Sequence, residues 1–229
     1  MTASSLFPNT WPVQHPERLQ LYSMATPNGK KLGIALEELG LAYEAHRVDI
    51  HAGDQHDAGF RRLNPNGKIP CIIDPQGPGG KPIAMMESGA ILLYLAEKTG
   101  KLLPTQQDAR WEAVQWLFFQ MASIGPMFGQ MGHFYKFARD KTSDEYALQR
   151  YSTEAKRLLG VLEERLRGGD YIVADAFTLV DIATLPWVLA LDFYGAKEHL
   201  GYKSFGHVEG WVQRCMARPA VQRGLKVCA

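Results

Sequence analysis

The sequence predicts an α/β unit followed by an all-helical unit. Two observations predict it. Short β-type runs alternate with helical periodicity up to residue 104, and no strand alternation of comparable quality appears after residue 105. The chain has 229 residues, enough for one large or two small domains and for a core without covalent staples.

The elements follow in order. Residues 1–18 carry prolines at 8, 12 and 16 and no continuous apolar stretch. They read as a surface-draped extension, or an arm for a partner subunit, and not as a secretion signal. Residues 19–24 form a strand candidate closed by the turn signal Thr26-Pro27-Asn28-Gly29. A helix follows, with Leu32, Ala35, Leu36 and Leu39 on one face and Gly40 at its end. Residues 43–50 are a second strand. Residues 51–62 are polar and loop-like, with one helical turn around Phe60. Residues 69–73 and 83–86 are the third and fourth strands, joined by a hairpin loop rich in glycine and proline. Residues 88–99 are a helix with Ala90, Ile91, Tyr94 and Leu95 inward, ended by Gly100. The order is βαβ, then ββα.

Beyond residue 105 the helices are read from their faces. Trp111, Trp116, Phe118 and Phe119 recur at near-helical spacing and suit core and a dimer seam. Gly125-Pro126 is expected to kink or interrupt that helix, because proline lacks the amide donor and clashes with the preceding turn. Tyr151, Ala155, Leu158, Leu159, Leu162 and Leu166 fall on one helix face. Thr178 and Asp181 form a capping box, with Phe177 placed to staple onto Ile182. The expected divisions are an extension over 1–18, an α/β domain over 19–104 and a helical domain over 105–229.

Composition narrows the function. Lys and Arg number 25 against 24 Asp and Glu, so no basic excess is available for nucleic acid. Three cysteines cannot build a disulfide framework, which fits a reducing, cytoplasmic setting. No run of 18 apolar residues predicts a membrane span. His51, Asp54, His56 and Asp57 lie on a loop with irregular spacing, so no metal site is expected. Gly77-Pro78-Gly79-Gly80 is not a phosphate loop, since no Gly-Lys-Ser/Thr follows.

Ile69-Pro70 opens an apolar strand, where a trans proline fits poorly in a sheet interior, so a cis bond is expected. With βαβ before it and ββα after it, the layout is thioredoxin-like. There the working group follows the first strand, at the first helix N-terminus. Here that position holds Thr26-Pro27-Asn28-Gly29 and not Cys-x-x-Cys. Cys71 reads as a small buried hydrophobe, Cys215 lies on a terminal helix and Cys228 is next to last.

Asn64-Pro65-Asn66-Gly67-Lys68-Ile69-Pro70, Glu87-Ser88-Gly89-Ala90-Ile91, the helical second half and the Thr178/Asp181 box together resemble the cytosolic glutathione transferases. The Thr-Pro-Asn-Gly segment, the Glu-Lys-Thr-Gly helix end and Gly125-Pro126-Met127-Phe128-Gly129-Gln130 look more like the bacterial Nu-class members, which resemble the yeast nitrogen regulator. The resemblance implies glutathione-dependent disulfide-bond reduction more than conjugation, a homodimer, and two glutathiones in one site. Conjugation of glutathione to an electrophile, or a non-catalytic glutathione-binding regulatory role, stand as alternatives.

The residues fit such a site. Ser88 opens a helix, so its hydroxyl and amide face an anion with the helix dipole behind them. That suits the γ-glutamyl carboxylate, with Glu87 placed for the ammonium. Ile69 can offer its backbone to the cysteinyl unit as an added strand would. Lys68 is a partner for the glycyl carboxylate or a solvated charge, and Gln55 fits a family position that touches glutathione. Thr26 and Asn28 fall where the sulfur is expected; the plainer alternative is that Thr26 caps the helix and Asn28 shapes the turn. Arg150 matches a Nu-class glutathione-contacting arginine. Gln130, His133 and Tyr135 are candidates for a second glutathione or cleft-wall residues.

Overall fold

The computed structural model describes residues 6–229; the first five residues of the expected extension lie outside them. The described chain divides into two compact units. One runs to Thr99 and takes in Pro219–Ala229, and the other is Gly100–Arg218.

The first unit is built on a four-stranded sheet of β1 (Leu19–Ser23), β2 (Tyr43–Arg47), β3 (Cys71–Asp74) and β4 (Ile83–Met86), in the order β2-β1-β3-β4. β1 runs parallel to β2 and antiparallel to β3, and β3 is antiparallel to β4. The two central strands are buried throughout, as strands covered on both faces must be. Gln20 survives there because its amide donates to the His15 and Arg18 carbonyls and its oxygen meets His46 Nε2 at 2.8 Å. The helices are α1 (Pro27–Leu39), the short α2 (Ala58–Leu63) and α3 (Ser88–Thr99). α1 ends at Gly40, whose φ of 66° a side chain would resist.

Two readings of the ends of the chain are corrected. The extension is docked, not draped, over its described residues. Leu6, Phe7 and Trp11 pack on a core cluster that includes Tyr22, Phe60 and Cys71, and Trp11 Nε1 donates to the Arg47 carbonyl at 2.9 Å. Proline interruptions hid this, because one anchoring indole leaves no periodicity to read. The tail from Pro219, read as part of the helical half, returns to the first unit. Its helix α9 (Pro219–Gly224) crosses α1 so closely that a Cβ on Gly33 would lie 2.3 Å from the Gly224 carbonyl oxygen. Arg223 also holds Glu37 at 2.6 Å.

The second unit holds α4 (Gln107–Phe119), α5 (Gly125–Gly132), α6 (Tyr146–Arg165), α7 (Leu179–Tyr194) and α8 (Gly206–Met216). The expected interruption at Gly125-Pro126 is a π-helical turn over Gln120–Ile124, in which the Gly125 amide reaches back to the Gln120 carbonyl. The wider turn accommodates proline without breaking the helical path. Ala155, Leu158, Leu159 and Leu162 are buried, as their spacing predicts. Thr178 caps α7 with Asp181 answering its amide. Trp111 and Phe118 stand exposed at 58% and 64%, so the core reading fails for both. No helix among the described residues is long and apolar enough to cross a membrane.

Candidate functional site

Strand register assembles the site in the first unit. Ser23 pairs with Arg47, Tyr22 with Cys71, and Cys71 with Met86. The segments after β1, after β2, before β3 and after β4 therefore leave the sheet at one end. Those segments carry Thr26 and Asn28, Gln55, Lys68 and Ile69, and Glu87 and Ser88.

Thr26 is the N-cap of α1, its hydroxyl oxygen accepting the Gly29 amide at 3.2 Å. A hydroxyl that accepts with a lone pair retains a proton to donate, so capping and holding an anion are compatible. Asn28 is half-buried in the first turn of α1, where the helix dipole favours negative charge. Gly29 is obligatory, since a Cβ there would lie 1.8 Å from the Met24 carbonyl oxygen.

The Ile69–Pro70 peptide is cis. Asn64 donates to the Lys68 carbonyl at 2.7 Å, bracing the turn that leads into it. The Lys68 side chain is exposed and Ile69 is half-buried. Gln55 has a buried amide oxygen with no hydrogen-bond partner, an acceptor the protein leaves unsatisfied. Its backbone lies against the Gly67 turn that precedes Lys68. The neighbouring acids are committed to local structure. Asp57 caps α2 through the Phe60 amide, and Asp54 accepts from the Asp49 amide.

Glu87 is exposed and held at a φ of 68°, a left-handed conformation that costs about 1–2 kcal/mol for a residue with a side chain. Such strain persists where the surroundings fix it. Here it turns the chain so that Ser88 opens α3. Ser88 is 3% exposed, and its hydroxyl accepts from Lys31 Nζ at 3.3 Å. Lys31 is fully buried, and burial pulls its amine down to about 7, with the Glu87 carboxylate opposing the shift. Sequence reasoning missed Lys31. Its signal was position, since it shares a helical face with Ile34 and Ala35.

The cysteines stand apart from this chemistry. Cys71 is wholly buried within β3 and burial pushes its thiol up to about 12. Cys215 is buried on α8, and Cys228 is half-buried with its thiol pushed up to about 11. No disulfide joins any of the three.

In the second unit, Arg150 lines a cavity of about 680 Å3 with Met127, Tyr146, Tyr151 and Glu154. The same carboxylate holds Arg157 at 2.8 Å, and that guanidinium keeps Glu154 below the usual carboxylate range. Gln130 and His133 are exposed on or just beyond α5, and neither lines that cavity. Tyr135 is turned to other partners, its ring 4.9 Å from that of His199 and beneath the Arg139 guanidinium.

Comparison with known proteins adds lineage to this geometry. A family model for the glutathione S-transferase N-terminal domain matches residues 25–98, and one for the C-terminal domain matches residues 119–219. The chain is 44% identical over 225 residues to the disulfide-bond oxidoreductase YghU of Escherichia coli, covering 94% of this chain and 76% of the relative. A glutathione transferase of Pseudomonas putida, solved with one glutathione disulfide bound per subunit, superposes with a TM-score of 0.97 at 48% identity over 100% of each chain. One from Burkholderia graminis, with two glutathione molecules per subunit, gives 0.93 at 54% identity, covering 94% of this chain and 90% of that one.

Proposed function

The chain belongs to the glutathione S-transferase family, and from that premise we propose that it is a glutathione-dependent disulfide-bond reductase. It acts by thiol–disulfide exchange, with glutathione supplying the thiols. The carrying observation is the state of its own cysteines, buried or with thiols pushed up to about 11 and 12. A thiol so raised is a poor nucleophile at neutral pH.

In the proposed reaction, the thiolate of bound glutathione attacks a sulfur of the substrate disulfide. A mixed disulfide forms and one substrate thiolate leaves. A second glutathione thiolate attacks the glutathionyl sulfur, giving glutathione disulfide and releasing the other substrate thiolate. Two glutathiones lose two electrons and one disulfide gains them. The name of the E. coli relative and the bound glutathione disulfide of the P. putida relative support this reading.

Thr26 and Asn28 hold the sulfur as thiolate. Glutathione-like thiols ionise near about 8.5, and a two-unit drop takes about 2.7 kcal/mol. One hydrogen bond to the anion supplies about 1.5–3 kcal/mol and a helix N-terminus about 0.3–1 more. Ile69 aligns the cysteinyl backbone, Ser88 takes the γ-glutamyl carboxylate and Glu87 its ammonium. Lys68 takes the glycyl carboxylate, and the unsatisfied Gln55 oxygen accepts a glutathione amide. Arg150 offers a guanidinium to a glutathione carboxylate, with Gln130, His133 and Tyr135 as contacts for a second molecule. We assign glutathione binding to the α/β unit, whose first strand opens at residue 19, and the remaining candidate contacts to the helical unit, Gly100–Arg218. The exposed Trp111 and Phe118 suit a seam between two copies of the chain, and cysteines outside any disulfide suit the cytoplasm.

The deciding experiment runs glutathione-dependent reduction of 2-hydroxyethyl disulfide beside conjugation to a chlorodinitrobenzene. Reduction is expected to be fast and conjugation negligible. The reverse result would favour conjugation, for which the Met127, Tyr146 and Tyr151 walls of the Arg150 cavity offer apolar surface. A Cys71→Ala/Cys215→Ala/Cys228→Ala variant with an intact circular dichroism spectrum should retain most of the reductase activity. Its loss would overturn the assignment of the thiols to glutathione.

A further inference from the structure

Lys31 is a basic group sealed inside an apolar helix face, and burying such a group has a cost that packing alone does not require. Its nitrogen donates to the Ser88 hydroxyl oxygen at 3.3 Å, at the mouth of α3. The turn it reaches is the strained one, with Glu87 at a φ of 68°. Lys31 on α1 and Ser88 on α3 sit on the two helices whose N-termini face the proposed ligand, one near its sulfur and one near its γ-glutamyl end.

We propose that Lys31 is a positioning residue for glutathione, acting through Ser88. By donating to the Ser88 oxygen it fixes the hydroxyl rotor, so that the hydroxyl proton points away from α1 and is given to the γ-glutamyl carboxylate. An oxygen that accepts one hydrogen bond becomes a stronger donor in the next, which couples the buried amine to a ligand it does not touch. Without the amine the hydroxyl oxygen loses that donor, and the proton offered to the carboxylate is less well aligned and less polarised. The inference rests on the reading of Ser88 as the carboxylate contact.

Its test is a double-mutant cycle read in glutathione affinity, with calorimetry on the full-length protein. Lys31→Met keeps the volume and removes the donor, so the fold should be maintained or firmer. The expected result is a glutathione Kd raised about tenfold, the scale of one hydrogen bond to a charged group, with kcat at saturating glutathione unchanged. Lys31→Leu, which likewise has no donor, should behave alike and guards against a folding defect peculiar to methionine. Ser88→Ala should raise Kd on its own, and adding Lys31→Met to it should change nothing more. If Ser88→Ala leaves Kd unaltered, the carboxylate reading of Ser88 fails. If Ser88→Ala weakens binding but Lys31→Met does not, or if the two effects simply add, Lys31 has no role through Ser88 and the inference alone falls. In the wild-type protein with 15N-labelled lysine, saturating glutathione should shift the Lys31 Nζ resonance; an unmoved resonance contradicts the coupling.

Discussion

Thr26 illustrates how much one side chain is asked to do. Its oxygen accepts the Gly29 amide, and its proton is assigned to the glutathione sulfur. Thr26→Ala removes both. Unfolding stability should drop by about 1 kcal/mol, the usual worth of such a cap. Disulfide-reductase turnover should fall about 10- to 100-fold, the worth of a hydrogen bond to an anion. Thr26→Ser keeps the hydroxyl and should restore most of both. Wild-type turnover in the alanine variant would reduce Thr26 to a cap. The cap was legible because Thr-Pro-Asn-Gly is a turn and helix-start signal by residue type alone. Lys31 was not, because its meaning depends on Ser88, 57 positions away. The unpartnered Gln55 oxygen was equally hidden, since satisfaction of a polar atom is a property of its surroundings.

At the scale of elements, the start of α7 binds three parts of the second unit into one. The Asp181 carboxylate accepts from the Thr178 amide and hydroxyl, the Ile172 amide and the Trp211 indole, at 2.8–3.1 Å. Burial raises its pKa while those donors resist the shift. Asp181→Ala leaves buried donors without an acceptor, and should lower unfolding stability by about 3–4 kcal/mol in urea denaturation. A loss below about 1 kcal/mol would mean water or a neighbour replaces the carboxylate. The sequence disclosed the box because its members are three residues apart. It could not disclose the indole, 30 residues on. The π-helical turn before Pro126 is similar. Proline announces an interruption, but whether the chain kinks or widens depends on packing against the ring of Trp187, which lies 3.3 Å from where a Gly125 Cβ would be.

For the whole molecule, the cysteines yield a pH prediction. Unfolded thiols ionise near about 8.5. In the folded protein Cys71 does so only near about 12 and Cys228 near about 11. Between these limits the unfolded chain holds fewer protons than the folded one, so unfolding free energy falls as pH rises. The contribution is present below about pH 8.5 and is lost toward pH 11. Compared with the wild type, a Cys71→Ala/Cys228→Ala variant should show a shallower decline in stability from pH 8.5 to 10.5. Parallel curves would mean the thiols titrate normally. To the same scale belongs the proposed homodimer, which predicts a light-scattering mass of twice 25.6 kDa; a mass of 25.6 kDa would overturn it.

What the sequence determined by itself was local or repeated: strand and helix order, the Thr26 and Thr178 caps, the buried face of α6, and a site without a redox cysteine. Each depends on residues a few positions apart, where dihedral preference, periodicity and residue chemistry act directly. The tertiary structure decided the rest. Register brought four separate segments to one end of the sheet, two facing glycines let the C-terminal tail settle on α1, and one indole docked the proline-rich arm. Burial placed Lys31 under Ser88 and left Trp111 and Phe118 in the open. Those outcomes come from close approach and solvent exclusion between residues far apart in the chain, and no window of sequence contains both partners.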